Sequence, residues 1–403
     1  MGHIIIIGGG AAGLMAGIMA ARNKHRVTIL EHKDKAGKKI LATGNGKCNF
    51  TNLVQNKECY RSEEVDFPLK VINQFDLNKT IDFFKEIGIY PKEKKGYIYP
   101  NSEQAASITE VLLAELKYLK VEMILGVHVD KIIPLQQGFL VHTNDGEYKC
   151  HKVILASGGQ ASPNLGSDGS GYKLAKDLGH IIIKPLPALV QLKADHKFLK
   201  TISGVRCHAK ISLFMNQVFT VREEGELLFA AYGVSGIPVM QISRFAAKAL
   251  DEKKKADLLV DFFPELSEEE LSRELTKRCQ RIPLRGTEEA FTGLLNHKLM
   301  FVLLNEAKIP VNLPCNQFNQ NKILEFTKIL KGFHIVLSGT NSFEQAQVCA
   351  GGIATNQIDS KTMESKVVPG LYVCGEVLDV DGTCGGYNLQ WAWSSGAVAG
   401  NNV

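Results

Sequence analysis

The 403-residue chain has no apolar run approaching eighteen residues, so no segment is expected to cross a membrane as a helix. Its nine cysteines include no Cys-x-x-Cys pair, and Cys48 and Cys59 are too poorly spaced for dithiol redox chemistry. The odd number points instead to free thiols in a reducing compartment, and the cytoplasm is the expected location. Eleven histidines are scattered without metal-ligand spacing, which leaves no metal site to expect. A net charge of +5 is small for this length. The densest basic runs, Lys92–Lys95 and Lys253–Lys255, read as solvated loops, so neither a nucleic-acid nor a membrane partner is expected. The chain enters a core strand at once, leaving no room for a cleaved leader. With 45% apolar and 22% charged residues, the composition is that of a globular protein of two or three domains.

The strongest positive signal comes first in the chain. Ile4–Ile7 is a short β-branched strand, followed by Gly8, Gly10 and Gly13 in a G-x-G-x-x-G at the head of a helical pattern, Leu14–Ala21. A second apolar strand, Arg26–Leu30, ends on Glu31. Together these form a dinucleotide-binding unit. Gly8 permits the turn, Gly10 lets backbone approach a pyrophosphate, and Gly13 lets helix pack on strand. The helix N-terminus offers amides and partial positive charge to phosphate. Glu31 accepts from a ribose 2′-hydroxyl. This unit alone serves NAD or FAD equally.

Residues 37–52 form a Gly-, Asn- and Thr-rich loop that continues from Glu31 along the expected ligand. Residues 68–88 and 103–119 carry helical periodicity, with a hairpin at 92–100 between them. Strand patterns at 121–125 and 127–132, followed by alternating runs at 138–143 and 147–151, suggest a meander that delivers the apolar strand Lys152–Leu155 to Ala156-Ser157-Gly158-Gly159. The loop 166–172 has a ligand-facing composition, although Asp168 suits a helix cap or turn equally. From about Leu186 short strands suggest a small antiparallel β domain, and after Asp257 the pattern reads as helical and charged, with Ser267 as a capping candidate.

A second strong signal lies near the C-terminus. Val367–Cys374 is a strand ending in Gly375-Glu376, and Gly385-Gly386-Tyr387-Asn388 opens a small-residue helix. Glu376 would sit where a flavin's ribityl hydroxyls lie. The helix N-terminus would face the N1/C2-carbonyl edge of the ring, where reduction builds negative charge. NAD has no use for this second dipole, so the two ends of the chain together favour FAD.

The chain resembles the YhiN/BaiN-like flavoproteins, bacterial FAD-dependent oxidoreductases that include aminoacetone-oxidase and bile-acid-reductase relatives. The resemblance spans nearly the whole chain. It is carried by Ile6–Gly13, Gly44–Asn52, Ala156–Gly159, Gly166–Tyr172, Thr362–Lys366 and above all Gly375–Gly396. It implies an α/β fold: a Rossmann-type FAD-binding domain from both chain ends (1–188 and 336–403), with an antiparallel β-barrel-like insert (189–250 and 320–335) itself interrupted by a small helical domain (251–319). The implied cofactor contacts are Gly8, Gly10, Ala11, Ala12, Gly13, Glu31, His32, Lys39, Thr43, Gly44, Asn45, Gly46, Lys47, Cys48, Asn49, Val129, Ala156, Ser157, Gly158, Gly375, Glu376, Asp381, Gly386, Asn388, Leu389 and Gln390. The chain departs from the family pattern at Phe229–Pro238, where a Thr followed by His or Asp is common. It departs again at Asn45 and Lys47, where Gly and Arg are usual. FAD binding is expected to survive both.

The expected reaction is reduction of an activated C=C bond in a small or steroid-like organic substrate. No second G-x-G-x-x-G is present for a separate nicotinamide domain, so NAD(P)H would act as a transient reductant or another donor would serve. The alternatives are a small-amine oxidase and a non-enzymatic flavin-binding protein. Cys48, Tyr232, Tyr387 and Lys47 lie in motifs expected near the ring, and none stands out as the proton donor.

Overall fold

The structure is a computed structural model that describes residues 2–403. It contains two compact units: residues 2–186 with 347–403, and residues 187–346.

The first unit is built on a five-stranded parallel sheet: β1 (His3–Ile7), β2 (Arg26–Glu31), β3 (Glu122–Leu125), β4 (Lys152–Leu155) and β5 (Leu371–Val373), in the order β5-β4-β1-β2-β3. The central strand is apolar on both faces, since Ile4, Ile5 and Ile6 are wholly buried. That is the pattern of a parallel strand covered on each side. Glu122–Leu125, expected to begin the meander, forms the sheet edge instead. The meander itself is Val129–Pro134, Phe139–Thr143 and Gly146–Cys150.

Two helices lie side by side in this unit: the first, Ala11–Arg22, and the C-terminal one, Tyr387–Asn402. Glycine allows the close approach. A Cβ on Gly396 would fall 2.4 Å from the Ala12 carbonyl oxygen, and one on Gly400 2.4 Å from that of Ala16. Contacts that advance together along both helices make them parallel. Gly396 lies level with Ala12, and the C-terminal helix begins about eight residues earlier, so its N-terminus extends about 12 Å beyond that of the first.

The second unit has its own hydrophobic core. Its seven-stranded sheet pairs antiparallel throughout, with Phe333–Val336 at one edge and Gly339–Thr340 at the other. Ala256–Asp261, expected at the start of a helical stretch, is a strand next to one edge. Its alternation buries Ala256, Leu258 and Val260, a period-2 pattern overshadowed in sequence by the lysines before it and the acids after it. The helices that follow pack into the same core through Leu271, Leu275, Leu299 and Phe326. Ser267 caps its helix in a reciprocal capping box with Glu270. Among the described residues no helix is long and apolar enough to cross a membrane.

Candidate cofactor site

The glycines after β1 divide by task. Gly8 adopts φ +106°, and a Cβ there would meet the Ala156 carbonyl at 2.5 Å. A Cβ on Gly13 would sit 1.9 Å from the Gly8 carbonyl oxygen. Both glycines are therefore required by packing. Gly10 differs: a Cβ there would meet nothing within 4 Å. Its φ of −82° is open to any residue. Its open side lies at the N-terminus of the first helix, where the amides of Ala11, Ala12 and Gly13 lack intrahelical acceptors and no side chain caps them. This arrangement is suited to an anion approached by backbone.

Glu31 ends β2 almost wholly buried. One carboxylate oxygen accepts from the Gly9 amide at 2.7 Å, and the other from the Lys33 amide at 2.8 Å. Each oxygen keeps a lone pair for a further donor, and the glycine loop is fixed to the strand that carries the acid. His32 stands beside it, with Nδ1 3.4 Å from Glu31 and Nε2 3.9 Å from Asp168. The ring meets His128 edge-on at 6.1 Å, which brings the start of the Val129 strand to this end of the site. Asp168 accepts from the Ser170 amide and hydroxyl and forms a turn at the start of its helix.

On the other side of β1, Ala156 donates its amide to the Ile7 carbonyl at 2.9 Å. Ser157 packs against Gly171, and Gly158 adopts φ +75°. Gly375 lies against Ala12: a Cβ on it would fall 2.7 Å from the Ala12 methyl. Its amide donates to the Ser395 hydroxyl at 3.0 Å and its carbonyl accepts from the Trp391 indole at 3.0 Å. Glu376 is bound on both oxygens, by the Lys39 ammonium at 2.7 Å and the Cys349 amide at 3.0 Å. Lys39 and Glu376, expected as separate ligand contacts, are thus a cross-link between the two chain ends.

The loop beyond Lys39 is exposed from Gly44 to Lys47 and turns left-handed at Gly44, Asn45, Gly46 and Cys48. Thr43 donates its hydroxyl to the Ile40 carbonyl at 2.6 Å. Lys47 reaches Glu103 at 3.0 Å. Cys48 is wholly buried, and burial pushes its thiol up to about 12, which keeps it protonated. Asn49 places a buried Oδ1 with no protein partner beside Gly386. That orphaned acceptor calls for a donor from a ligand or water.

Gly386, at φ +92°, is the N-cap of the C-terminal helix, whose first-turn amides (Tyr387–Leu389) carry no side-chain cap. Two residues expected here as ligand contacts have their side chains otherwise engaged. Asn388 closes onto the Gly382 amide at 2.8 Å and the Gly382 carbonyl at 2.9 Å. Gln390 is fully buried, accepting from Thr51 at 2.6 Å and donating to Thr80 at 2.8 Å and Ser394 at 2.9 Å. Asp381 is likewise buried, in a strand paired to Tyr60–Arg61. Tyr387 meets Tyr60 edge-on at 5.7 Å, and burial with a hydrogen bond to Cys59 holds its phenol well above the ordinary range. Tyr232 belongs to the second unit and is partly exposed.

The close packing at Gly396 and Gly400 and the pairing of Glu103 were not foreseen from the sequence. The Gly-x-x-x-Gly spacing in a helix was a readable signal for the first two. Glu103 lies outside every motif.

Comparison with known proteins identifies the family. The model for the HI0933-like protein Rossmann domain matches residues 2–402. The chain is 43% identical over 403 residues to a 3-dehydro-bile acid delta(4,6)-reductase of Clostridium scindens, covering 99% of this chain and 98% of that protein. It is 32% identical over 392 residues to a ribosomal RNA dihydrouridine synthase of Escherichia coli, covering 97% and 95%. Among solved structures, a 3-ketosteroid-delta4-(5alpha)-dehydrogenase from Rhodococcus jostii RHA1 overlaps at TM-score 0.48 with 14% identity, covering 100% of this chain and 96% of that one. The chain belongs to the HI0933-like family of Rossmann-domain proteins, the YhiN/BaiN-like FAD-dependent oxidoreductases that its motifs resemble.

Proposed function

We propose that this protein binds FAD and reduces a carbon–carbon double bond conjugated to a carbonyl, in a small or steroid-like organic substrate. The observation that carries the reading is the pair of parallel, uncapped helix N-termini about 12 Å apart along their axes, with the open side of Gly10 at one and the orphaned Asn49 acceptor at the other. One N-terminus suits a pyrophosphate, and the other suits a ring that gains negative charge on reduction.

Bound FAD supplies hydride transfer at its N5. Around it, the Gly8–Gly13 turn and the amides of Ala11–Gly13 would hold phosphate, and Glu31 would accept from the adenosine ribose. The amides of Tyr387–Leu389 would stabilise negative charge on the reduced ring, and Asn49 Oδ1 would accept from a donor of the ligand. Lys39 and Glu376 bring the two chain ends together along the middle. Cys48 stays a thiol and takes no part as a base.

The similarity to a bile-acid reductase over nearly the whole of both chains supports the reaction class. The name of the Escherichia coli relative also denotes saturation of a double bond, that of uridine. With a single G-x-G-x-x-G and no motif for a separate nicotinamide domain, NAD(P)H would bind transiently or another donor would serve. The test is to reduce the purified flavoprotein anaerobically with NADH or NADPH, then offer a 3-oxo-Δ4,6 bile acid, uridine-containing RNA, or oxygen. Reoxidation by the enone is the expected result. Reoxidation by RNA alone would move the substrate class, and fast reoxidation by oxygen with peroxide release would overturn the reading in favour of an oxidase.

A further inference from the structure

We propose that Glu103 is a positioning residue for the cofactor loop: by pairing with Lys47 and Lys92 it pins the strap Thr43–Lys47 along the line between the two helix N-termini. The inference rests on the FAD reading above.

The ends of the strap define its path. It leaves the short helix Lys38–Leu41, whose Lys39 is bound to Glu376 at 2.7 Å; the adjacent Gly375 touches Ala12 in the first helix. It finishes at Asn49, whose side chain touches Gly386 at the head of the C-terminal helix. The strap therefore runs from one helix N-terminus to the other. Its middle is exposed and lightly held, a Cβ on Gly44 coming within 3.9 Å of the Tyr99 ring. Gly44, Asn45 and Gly46 all have positive φ, and Gly46 has no protein atom within 4 Å of where a Cβ would stand. Local backbone bonds, Lys47 amide to Gly44 carbonyl at 3.2 Å and Cys48 amide to Thr43 carbonyl at 3.1 Å, shape the turn without fixing it to the body.

The tether is Glu103. One carboxylate oxygen takes the Lys47 ammonium at 3.0 Å, and the other takes Lys92 at 2.8 Å, on the hairpin Pro91–Pro100. Glu103 itself is in the left-handed region at φ +50°, a conformation that few residues with a side chain adopt. Two ammonium groups keep its carboxyl down at about 2, so the latch is charged throughout the physiological range. All three partners are solvent-accessible, so the latch is weak and screened by salt.

The test follows FAD release after dilution, by recovery of flavin fluorescence, at low and high ionic strength. Wild-type release is expected to quicken about two- to fivefold with salt. Glu103→Gln is expected to release at the salt-accelerated rate already at low salt, with no further response. Glu103→Asp is expected to recover part of the salt response and Lys92→Met to fall between the two. Loss of packing alone would not remove the salt response. Hydrogen exchange at residues 44–47 reads the strap without flavin. Faster exchange in Glu103→Gln is expected, and exchange or release equal to wild type overturns the proposal. A protein that takes up no FAD yet shows the faster exchange overturns the FAD reading alone.

Discussion

Gly10 and Gly13 lie three residues apart in one motif, and the structure gives opposite predictions for them. At Gly10 the backbone is extended at φ −82°, and a methyl would meet no protein atom within 4 Å. Gly10→Ala should lose less unfolded-state entropy on folding, worth about 0.4–1 kcal/mol. Alanine is a poorer N-cap than glycine by a comparable amount. The two effects offset, so the apoprotein should melt within about 2 °C of wild type. The methyl instead occupies the space expected for pyrophosphate, and FAD affinity should fall at least about tenfold, or about 1.4 kcal/mol. At Gly13 a methyl would lie 1.9 Å from the Gly8 carbonyl oxygen. Gly13→Ala must push helix from strand, costing about 1–3 kcal/mol or more. The assay is a melting curve of each apoprotein with a flavin titration. A destabilised Gly10→Ala, or one that binds FAD as wild type does, would refute the division of labour.

Three further outcomes follow from contacts elsewhere in the unit. Lys39→Met leaves the partly buried Glu376 with the Cys349 amide alone. It should cost about 1–3 kcal/mol, while Lys39→Met/Glu376→Gln should cost less than the sum of its singles, as a double-mutant cycle by denaturant titration would show. His180 is buried between the Ala175 carbonyl and Ser365, and burial lowers its pKa below 6.5. Below 6.5 the unfolded chain takes up this proton more readily than the native one. Its contribution is therefore complete above pH 6.5 and declines as pH falls beneath it. Melting curves from pH 7.5 to 5.5 should show a smaller decline in His180→Gln than in wild type. Seven of the nine cysteines are buried, and Cys207, one of the two half-exposed, has its thiol pushed up to about 12. Thiol titration of the native protein near pH 7.5 should therefore modify Cys384 first, and all nine only in denaturant. Rapid labelling of Cys48 would contradict its buried placement.

The backbone turns of the first unit were legible in the sequence, and the side-chain partners were less so. Gly8, Gly10, Gly13 and Glu31 were legible because a tight turn, an open approach and a strand-end acid each admit few residue types. Gly385 and Gly386 were legible for the same reason, both having positive φ at a helix start. Asn388 and Gln390 sit in the same run, but a sequence does not state which polar atoms are already satisfied. Gln390 joins Thr51 and Thr80 across more than 300 residues of chain. Pairings of such separation have no local signature. Glu31 and Glu376 make the same point from the other side: both are carboxylates at strand ends, yet one holds the glycine loop and the other an ammonium. The strand Ala256–Asp261 was obscured because only three inward positions carry its pattern.

Whether the two helix N-termini hold one molecule of FAD is read from the absorption spectrum of the purified protein. The expected result is the two-banded visible spectrum of an oxidised flavin in about equimolar amount, with FAD rather than FMN released on denaturation. A colourless protein that takes up no flavin when FAD is supplied in excess would contradict it.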